Sequence, residues 1–225
     1  MDRKMRSNQW RNRKLIILGL IIVFLIAVII IFLSAKPSGK TLYVAANGRG
    51  DFNCDGTDDQ IEINKALAYV AENPEYTSVH LEGNTTYVIS DSVLIGSNTI
   101  LEGDSTAVLK LEDKAGWSPD KPLITQMNSS GNQDITIRGF EIDGNHDKNI
   151  DRARGKGYYN LIYLLESENI QVYNMYMHDS HGDGLKVTRC SNIQFYNNTV
   201  YRLGHDALYV IYSSSTEAWN NNIIC

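Results

Sequence analysis

Two aspartates, each close to a histidine, are the residues of this sequence best suited to acid–base chemistry. Asp183 lies in the segment His178-Asp179-Ser180-His181-Gly182-Asp183-Gly184, and Asp206 lies 23 residues later in Gly204-His205-Asp206. If the two carboxyls stack, they cannot both ionise freely, so one should keep its proton and act as an acid while the other acts as a base. Cleavage of a glycosidic bond needs such a pair. We therefore predict Asp183, Asp206, His181 and His205 as catalytic residues.

Two other interpretations of this aspartate pair stay open. Aspartates at the corners of a fold commonly accept hydrogen bonds from backbone N–H groups, so Asp183 and Asp206 could simply cap turns. The same two carboxylates could instead bind a cation. The spacing alone does not separate these roles from acid–base catalysis.

A second cluster of oxygen-bearing side chains lies near the start of the chain and fits a twelve-residue calcium loop. Such a loop has oxygen ligands at positions 1, 3, 5, 7 and 9, glycine at 6 and glutamate at 12. The predicted calcium ligands are Asp51, Asn53, Asp55, Thr57, Asp59 and Glu62. Position 8, normally apolar, is Asp58, and residues 57–62 also fit the start of a helix, so calcium is an optional rather than a required cofactor.

A motif that returns every 23 residues indicates which fold positions these groups. The segment 169–174, Asn-Ile-Gln-Val-Tyr-Asn, recurs at 192–197 as Asn-Ile-Gln-Phe-Tyr-Asn. A fixed period of this length is typical of a solenoid, and apolar residues alternate within each unit as they do in short strands. We predict an all-β, right-handed parallel β-helix with about 23 residues per coil. Stacked ladders should then form, with Asn174, Asn197 and Asn220 in one and Tyr173, Tyr196 and Trp219 in the other.

The segment before the repeats predicts a helix that covers the first coil. Thr57 and Gln60 form a capping box, and a helix with Ile63, Ala66, Leu67 and Val70 on its apolar face should end near Asn73, before Pro74. The step from Ile135 to Ile170 is 35 residues, which leaves an insertion of a dozen residues at 144–156. Insertions between coils become loops on one face, often the binding face.

The N-terminal sequence predicts a membrane anchor. Residues 15–33 carry no charge and, as a helix of about 28 Å, are long enough to cross a bilayer. Residues 1–14 contain six Lys or Arg and one Asp, so this head should stay in the cytoplasm and the remainder, with a net charge of −10, should be exported. Cleavage as a signal peptide is the alternative. An acidic exported domain is a poor nucleic-acid binder, so no nucleic-acid partner is expected.

These features give four regions. Residues 1–14 form the basic head, 15–33 the transmembrane segment, 34–40 a linker, and 41–225 the β-helix domain. The sequence stops inside a further copy of the repeat without a polar cap, so we expect the β-helix to be the front part of a longer solenoid. The three cysteines are too few for a disulfide framework.

Several segments resemble known protein families. Residues 54–60, Cys-Asp-Gly-Thr-Asp-Asp-Gln, and the helix after them resemble the opening segment of pectate-lyase-like right-handed β-helix proteins. Residues 137–146, 173–179 and 204–208 are similar to the disaggregatase-related surface proteins of methane-producing archaea. The resemblance covers residues 41–225. The aspartate pattern is also loosely similar to that of polygalacturonases, although their paired aspartates and Gly-His-Gly motif are not reproduced.

The resemblance implies a membrane-anchored cell-surface protein that degrades an acidic heteropolysaccharide, as a glycoside hydrolase. A polysaccharide lyase and a non-catalytic glycan-binding protein are the alternatives. On this basis Lys186 and Arg202 are predicted to meet the carboxylate of a uronate, and His178 and Asp179 complete the predicted substrate-binding set. The expected partners are the acidic polysaccharide and the membrane.

Overall fold

The computed structural model describes residues 39–118, 121–149 and 159–224. The chain divides into two units, residues 1–38 and 39–225, and the account below concerns the second. The predicted head and anchor, at residues 1–33, lie outside the described residues. Within the described ranges, no helix has the length and apolar character needed to cross a membrane.

Nineteen strands and one α-helix make up the described part of the chain, and the strands form three parallel sheets. Sheet A contains β1 (Lys40–Ala45), β2 (Phe52–Asn53), β3 (Tyr76–Leu81), β6 (Ile100–Gly103), β9 (Gln133–Arg138), β12 (Glu168–Tyr173), β15 (Ser191–Tyr196) and β18 (Ser214–Trp219). Sheet B contains β4 (Thr85–Ile89), β7 (Ala107–Leu111), β10 (Glu141–Asp143), β13 (Tyr176–His178), β16 (Thr199–Tyr201) and β19 (Asn222–Ile224). Sheet C contains β5 (Val93–Ile95), β8 (Ile124–Gln126), β11 (Ile162–Leu165), β14 (Leu185–Thr188) and β17 (Leu208–Ile211).

The chain visits the sheets in the order A, B, C and then returns to A, so each turn of the coil adds one strand to each sheet. This arrangement is a parallel β-helix, as the sequence predicts. Inward-facing residues such as Val172 and Phe195 are fully or almost fully buried and form one continuous core between the sheets. Outward-facing residues alternate with them along each strand, because successive side chains point to opposite faces.

The strand register confirms the 23-residue step. Val172 pairs with Phe195, and Ile170 pairs with Ile193. Ile170 also pairs with Ile135, so the 35-residue step does bridge adjacent coils and the extra residues form an insertion between β10 and β11. This insertion includes a short 3₁₀ helix, His146–Lys148, and residues 150–158 lie outside the described part.

Helix α1 (Gln60–Glu72) packs against the strands of the first coil, with Ile63, Ala66, Leu67 and Val70 buried as predicted. The predicted capping box is wrong. The helix begins after Asp59, which makes no side-chain cap at this N-terminus. The reason is that both carboxylate oxygens of Asp59 accept hydrogen bonds elsewhere, from the backbone N–H groups of Asp55, Gly56 and Val88.

The two predicted ladders have different outcomes. The rings of Tyr173, Tyr196 and Trp219 do stack, with centroids 4.6 and 4.4 Å apart and nearly parallel planes. Asn174 and Asn197 follow the paired residues Tyr173 and Tyr196 and so do lie in one column. Their φ angles are positive, so each supplies the left-handed residue of the turn from sheet A to sheet B. Hydrogen bonds between amide side chains of adjacent coils are made elsewhere, by the pairs Asn198–Asn221 and Asn169–Asn192.

Candidate functional site

Asp183 and Asp206 belong to a column of residues that lies just before the strands of sheet C. Asn160, Asp183 and Asp206 stand two residues before β11, β14 and β17, respectively. The Asn160 side-chain oxygen accepts the backbone N–H of Asp183 at 2.8 Å, and Asp183 Oδ1 accepts that of Asp206 at 3.0 Å. The side chains of Asn160 and Asp183 therefore each cap the turn of the next coil. The structure thus brings the two predicted aspartates together, with Asp183 in a turn-capping role.

His205 lies between the two carboxylates. Its Nδ1 atom is 2.9 Å from Asp183 Oδ1 and 3.0 Å from Asp206 Oδ2. The Asp183 side chain is only 6% exposed, whereas those of His205 and Asp206 are 47% and 52% exposed. A buried carboxylate bonded to one imidazole nitrogen fixes the orientation and tautomer of the ring, so that the other nitrogen can exchange protons with a substrate. This cluster has the parts needed for proton transfer at the surface of the β-helix.

The same three residues could also hold a metal ion. One ligand atom from each of Asp183, His205 and Asp206 lies within 4.8 Å of the others. A set that contains imidazole suits a transition metal better than calcium or magnesium, which prefer oxygen ligands. The geometry is therefore compatible with the cation-binding interpretation of the aspartate pair, and the ligand set favours a transition metal.

A column of three side chains on the outer face of sheet C borders this cluster. Lys186 lies between two tyrosines, with Nζ 5.0 Å from the ring centre of Tyr163 and 5.9 Å from that of Tyr209. The ring of His205 meets that of Tyr209 edge-on at 5.8 Å. The predicted substrate-binding residue Lys186 thus stands on the same face as the cluster. The sequence prediction does not include the two tyrosines, although the 23-residue step from Lys186 in either direction reaches them.

His178, Asp179 and Arg202 form a separate cluster, which includes the outer face of sheet B. His178 Nδ1 is 2.7 Å from Asp179 Oδ2, and its Nε2 is 3.0 Å from Glu141 Oε1. Arg202 contacts both Asp179, at 3.0 Å, and Asp147 of the insertion, at 2.8 Å. The Arg202 guanidinium lowers the pKa of Asp147, mainly through this hydrogen bond. These residues thus bind one another and tie the insertion to a later coil.

This second cluster also contains a set of ligand atoms that could hold a metal ion, from Asp143, His178 and Asp179. Two cations already neutralise it, since Lys110 Nζ is 3.1 Å from Asp143 and Arg202 pairs with Asp179. The arrangement is therefore that of a network of ion pairs. The sequence does not predict this network, because two of its carboxylates lie far from His178 in sequence. Glu141 belongs to β10, before the insertion, and Asp147 lies within the insertion.

His181, the remaining predicted catalytic residue, is buried and makes different contacts from His205. Its Nε2 atom lies 2.8 Å from the backbone oxygen of Asn149. Its ring lies 4.1 Å from that of His146 and 4.9 Å from that of Tyr159. The structure therefore places His181 beneath the insertion. There, Gly204 allows close approach of the next turn, because a Cβ atom at this position would lie 2.0 Å from the His181 carbonyl oxygen.

The six predicted calcium ligands do not converge on one point. Asp59 is fully buried and caps backbone N–H groups, Asp51 accepts the N–H of Tyr43, and Asp55 accepts both the N–H and the hydroxyl of Thr57. Asn53 bonds to Gly50 and Glu62 pairs with Lys65. Among the described residues, the carboxylates of this segment form no metal-binding group. The sequence fits the calcium-loop spacing, but the chain uses these oxygens to fold the turn before α1.

The family model for the right-handed β-helix region matches residues 72–224. The chain therefore belongs to this family, and the coil described above is a right-handed parallel β-helix. No curated protein sequence matches the chain significantly.

Solved structures with the same fold include enzymes and an adhesin. A protein of Parabacteroides merdae assigned as a glycosyl hydrolase superimposes with a TM-score of 0.52 and 15% identity, over 73% of this chain and 87% of that one. An iota-carrageenase superimposes with a TM-score of 0.65 and 14% identity, over 83% and 42% of the two chains. A surface adhesin of Streptococcus pneumoniae superimposes with a TM-score of 0.58 and 16% identity, over 72% and 39%. This chain thus spans about two fifths of the length of the last two proteins.

Proposed function

We propose that this protein degrades an acidic cell-surface heteropolysaccharide and acts as a glycoside hydrolase similar to disaggregatase. The observation that carries the proposal is the Asp183–His205–Asp206 cluster beside the exposed column of Tyr163, Lys186 and Tyr209. The cluster supplies proton-transfer groups. The column supplies aromatic surface for sugar rings and a cation for a carboxylate or sulfate group.

In a hydrolytic reaction these residues have distinct roles. Asp206, half exposed, is placed to donate a proton to the oxygen of the departing sugar. His205, held through Nδ1 by the buried Asp183, accepts a proton from the attacking water at Nε2. Asp183 is a positioning residue, because its carboxylate is bonded to His205 and to the backbone of Asp206 and is screened from the surface.

A polysaccharide lyase is the second candidate, and the Asp183–His205 hydrogen bond specifically favours it. A lyase acting on a uronate removes the proton next to the carboxylate with a base and expels the sugar oxygen, which leaves a carbon–carbon double bond. His205 is suited to be that base, and Lys186 is suited to neutralise the carboxylate. Hydrolysis and elimination thus use the same residues.

Export and anchoring are part of the proposal. The uncharged segment 15–33 with its basic flank supports a single-pass anchor with the β-helix outside the cell. A protein attached in this way would act on the polymer around its own cell. Fractionation tests this part, because a soluble mature protein beginning near Lys36 would contradict the anchor and indicate signal cleavage.

Product analysis tests the reaction. The full chain is incubated with acidic matrix polysaccharide extracted from aggregated methane-producing archaea, and the released fragments are analysed by mass spectrometry and ultraviolet absorbance. A hydrolase adds one water per cleavage, whereas a lyase releases unsaturated fragments that absorb in the ultraviolet. Intact polymer retained on the protein would contradict both reactions and indicate a glycan-binding protein. The variant Asp206→Asn tests the assigned site, because it removes the proposed proton donor. Cleavage that survives this change would overturn the assignment.

A further inference from the structure

A groove on the outer face of sheet A is separate from the Asp183 cluster and from sheet C. It has a volume of about 420 Å³ and crosses strands β9, β12, β15 and β18. The residues that line it are all polar: Asp134, Asn169, Gln171, Asn192, Gln194, Ser215 and Glu217. Neither the acid–base centre nor the Tyr–Lys–Tyr column contributes to it.

The groove is built from residues in register on successive coils. Gln171 pairs with Gln194, which pairs in turn with Glu217, so these side chains form a row along the axis of the β-helix. Adjacent members of the row are about 4.8 Å apart, the spacing of neighbouring strands. Beside them, Asn192 Nδ2 donates to Asn169 Oδ1 at 3.0 Å, so the asparagines use part of their capacity on each other.

The glutamines differ from the asparagines in their hydrogen bonding. Within the described part of the chain, the side-chain amides of Gln171 and Gln194 make no hydrogen bond, and both are accessible from the groove. Each amide offers two donors and one acceptor oxygen. A ligand that lies along the axis would therefore meet a regular series of donors and acceptors.

Aromatic rings stand next to the groove but do not line it. Tyr173 and Tyr196 stand two residues further along β12 and β15, on the same outer face as the glutamines. Their rings stack on each other at 4.6 Å, and Arg138, which pairs with Glu102, lies against the Tyr173 ring. The groove itself is lined by polar side chains, so a ligand there is held by hydrogen bonds.

The charge of the groove selects against an acidic ligand. The ionisable side chains among its lining residues are Asp134, which accepts a hydrogen bond from Asn169 Nδ2, and Glu217, and both are acidic. Among the described residues, the lining contains no basic side chain that could pair with a carboxylate or sulfate, whereas the outer face of sheet C offers Lys186. The two faces are thus suited to different polymers.

We propose that the outer face of sheet A binds a neutral, hydroxyl-rich glycan chain that lies along the β-helix axis. Hydroxyl groups both donate and accept hydrogen bonds, so they match the exposed amides of Gln171 and Gln194 without requiring a charge. This site is not catalytic. It holds the protein against a neutral glycan while the other face acts on the acidic polymer.

Nuclear magnetic resonance and calorimetry on the full chain test this proposal. The probes are hexasaccharides of β-1,4-linked glucose, mannose, xylose and N-acetylglucosamine, with hexagalacturonate as the acidic comparison. We expect at least one neutral probe to shift the side-chain amide signals of Gln171 and Gln194. The double variant Gln171→Ala/Gln194→Ala should weaken that binding at least about tenfold, the effect of losing two hydrogen bonds of ordinary strength.

Thr86→Ala is the matched control, because it alters an exposed, outward-facing strand residue on sheet B, outside both proposed sites, and should leave binding of the neutral probe unchanged. Thermal melting of each variant separates loss of binding from loss of folding. The amide shifts are read on the unmodified protein and need no variant. The proposal is overturned if no neutral hexasaccharide shifts these signals, if the double variant folds and binds normally, or if Thr86→Ala weakens binding as much as the double variant does.

Discussion

Asp183 has two roles in the structure that a single substitution can separate. Its carboxylate caps the turn of the next coil through the backbone N–H of Asp206 and also holds the imidazole of His205. One coil earlier, Asn160 makes the same capping bond with an amide oxygen. An asparagine at position 183 should therefore keep the cap but lose the negative charge beside His205.

The two substitutions Asp183→Asn and Asp183→Ala should consequently differ in a defined way. With asparagine, a hydrogen bond to a charged group becomes a neutral one, and the free energy of unfolding should fall by about 1 kcal/mol. With alanine, the cap is lost as well, and the fall should reach about 2 kcal/mol. If Asp183 orients a catalytic His205, both changes should lower turnover of the acidic polysaccharide by about 10²-fold or more per folded molecule.

The assay measures urea unfolding and product release for each variant, with Asn198→Ala as the control. Asn198 Oδ1 accepts the backbone N–H of Met175 in the turn from sheet A to sheet B, so this control removes a buried cap between coils without touching Asp183 or His205. It should cost stability but leave activity per folded molecule unchanged. Normal turnover of folded Asp183→Asn would refute the catalytic interpretation. Asp183 would then be a turn cap only, as the sequence also allows.

Three further predictions follow from other contacts. Tyr196→Ala should lower the free energy of unfolding, measured by urea titration, by at least about 2 kcal/mol, because it removes a ring that is stacked on both faces. Tyr196→Phe keeps the ring and should cost little in the same titration. Arg202 lowers the pKa of Asp147, so this pair stabilises the fold above the ordinary aspartate pKa of about 3.9 and the effect is lost as the pH falls through the lower folded value. The melting temperature of Arg202→Ala should therefore be below that of the parent at pH 7 and should converge with it at pH 2, and a constant difference would contradict this. Burial raises the pKa of the Cys54 and Cys190 thiols, so both should react slowly with iodoacetamide. Peptide mapping should find them unmodified until urea is added. Rapid labelling of the native protein would instead show that the coil opens at the labelled cysteine.

The coil could be predicted from the sequence because its period is recorded in many residues at once. Stacked rings, paired apolar positions and the 35-residue step all require the same register, and the structure has that register. The role of individual polar residues could not be predicted in the same way. Asn174 and Asn197 recur because the turn needs a left-handed residue, and a repeat of asparagines looks the same whether the backbone or the side chain is the cause.

The candidate site shows a similar limit. The step of 23 residues correctly places Asp183 beside Asp206, and its extension from Lys186 reaches the two tyrosines of sheet C. His181, two residues before Asp183, is predicted with this pair but has a different environment. The residues between β13 and β14 pass from the outer face of sheet B to a buried turn and then to the edge of sheet C within seven positions. Arg202, predicted to meet a uronate, follows β16 and pairs with Asp179 and Asp147 instead.

The column Asn160–Asp183–Asp206 combines turn capping with a carboxylate beside a histidine. Every member occupies the same position before a sheet C strand, and at the first two the side-chain oxygen caps the following turn. An amide is sufficient for that purpose, as Asn160 demonstrates, so the carboxylate at 183 adds a charge that the cap itself does not need. The added charge faces His205, which is half exposed and close to a second carboxylate. The cap is therefore compatible with the proposed role of Asp183 in orienting the histidine, because the capping bond to Asp206 fixes the carboxylate beside His205.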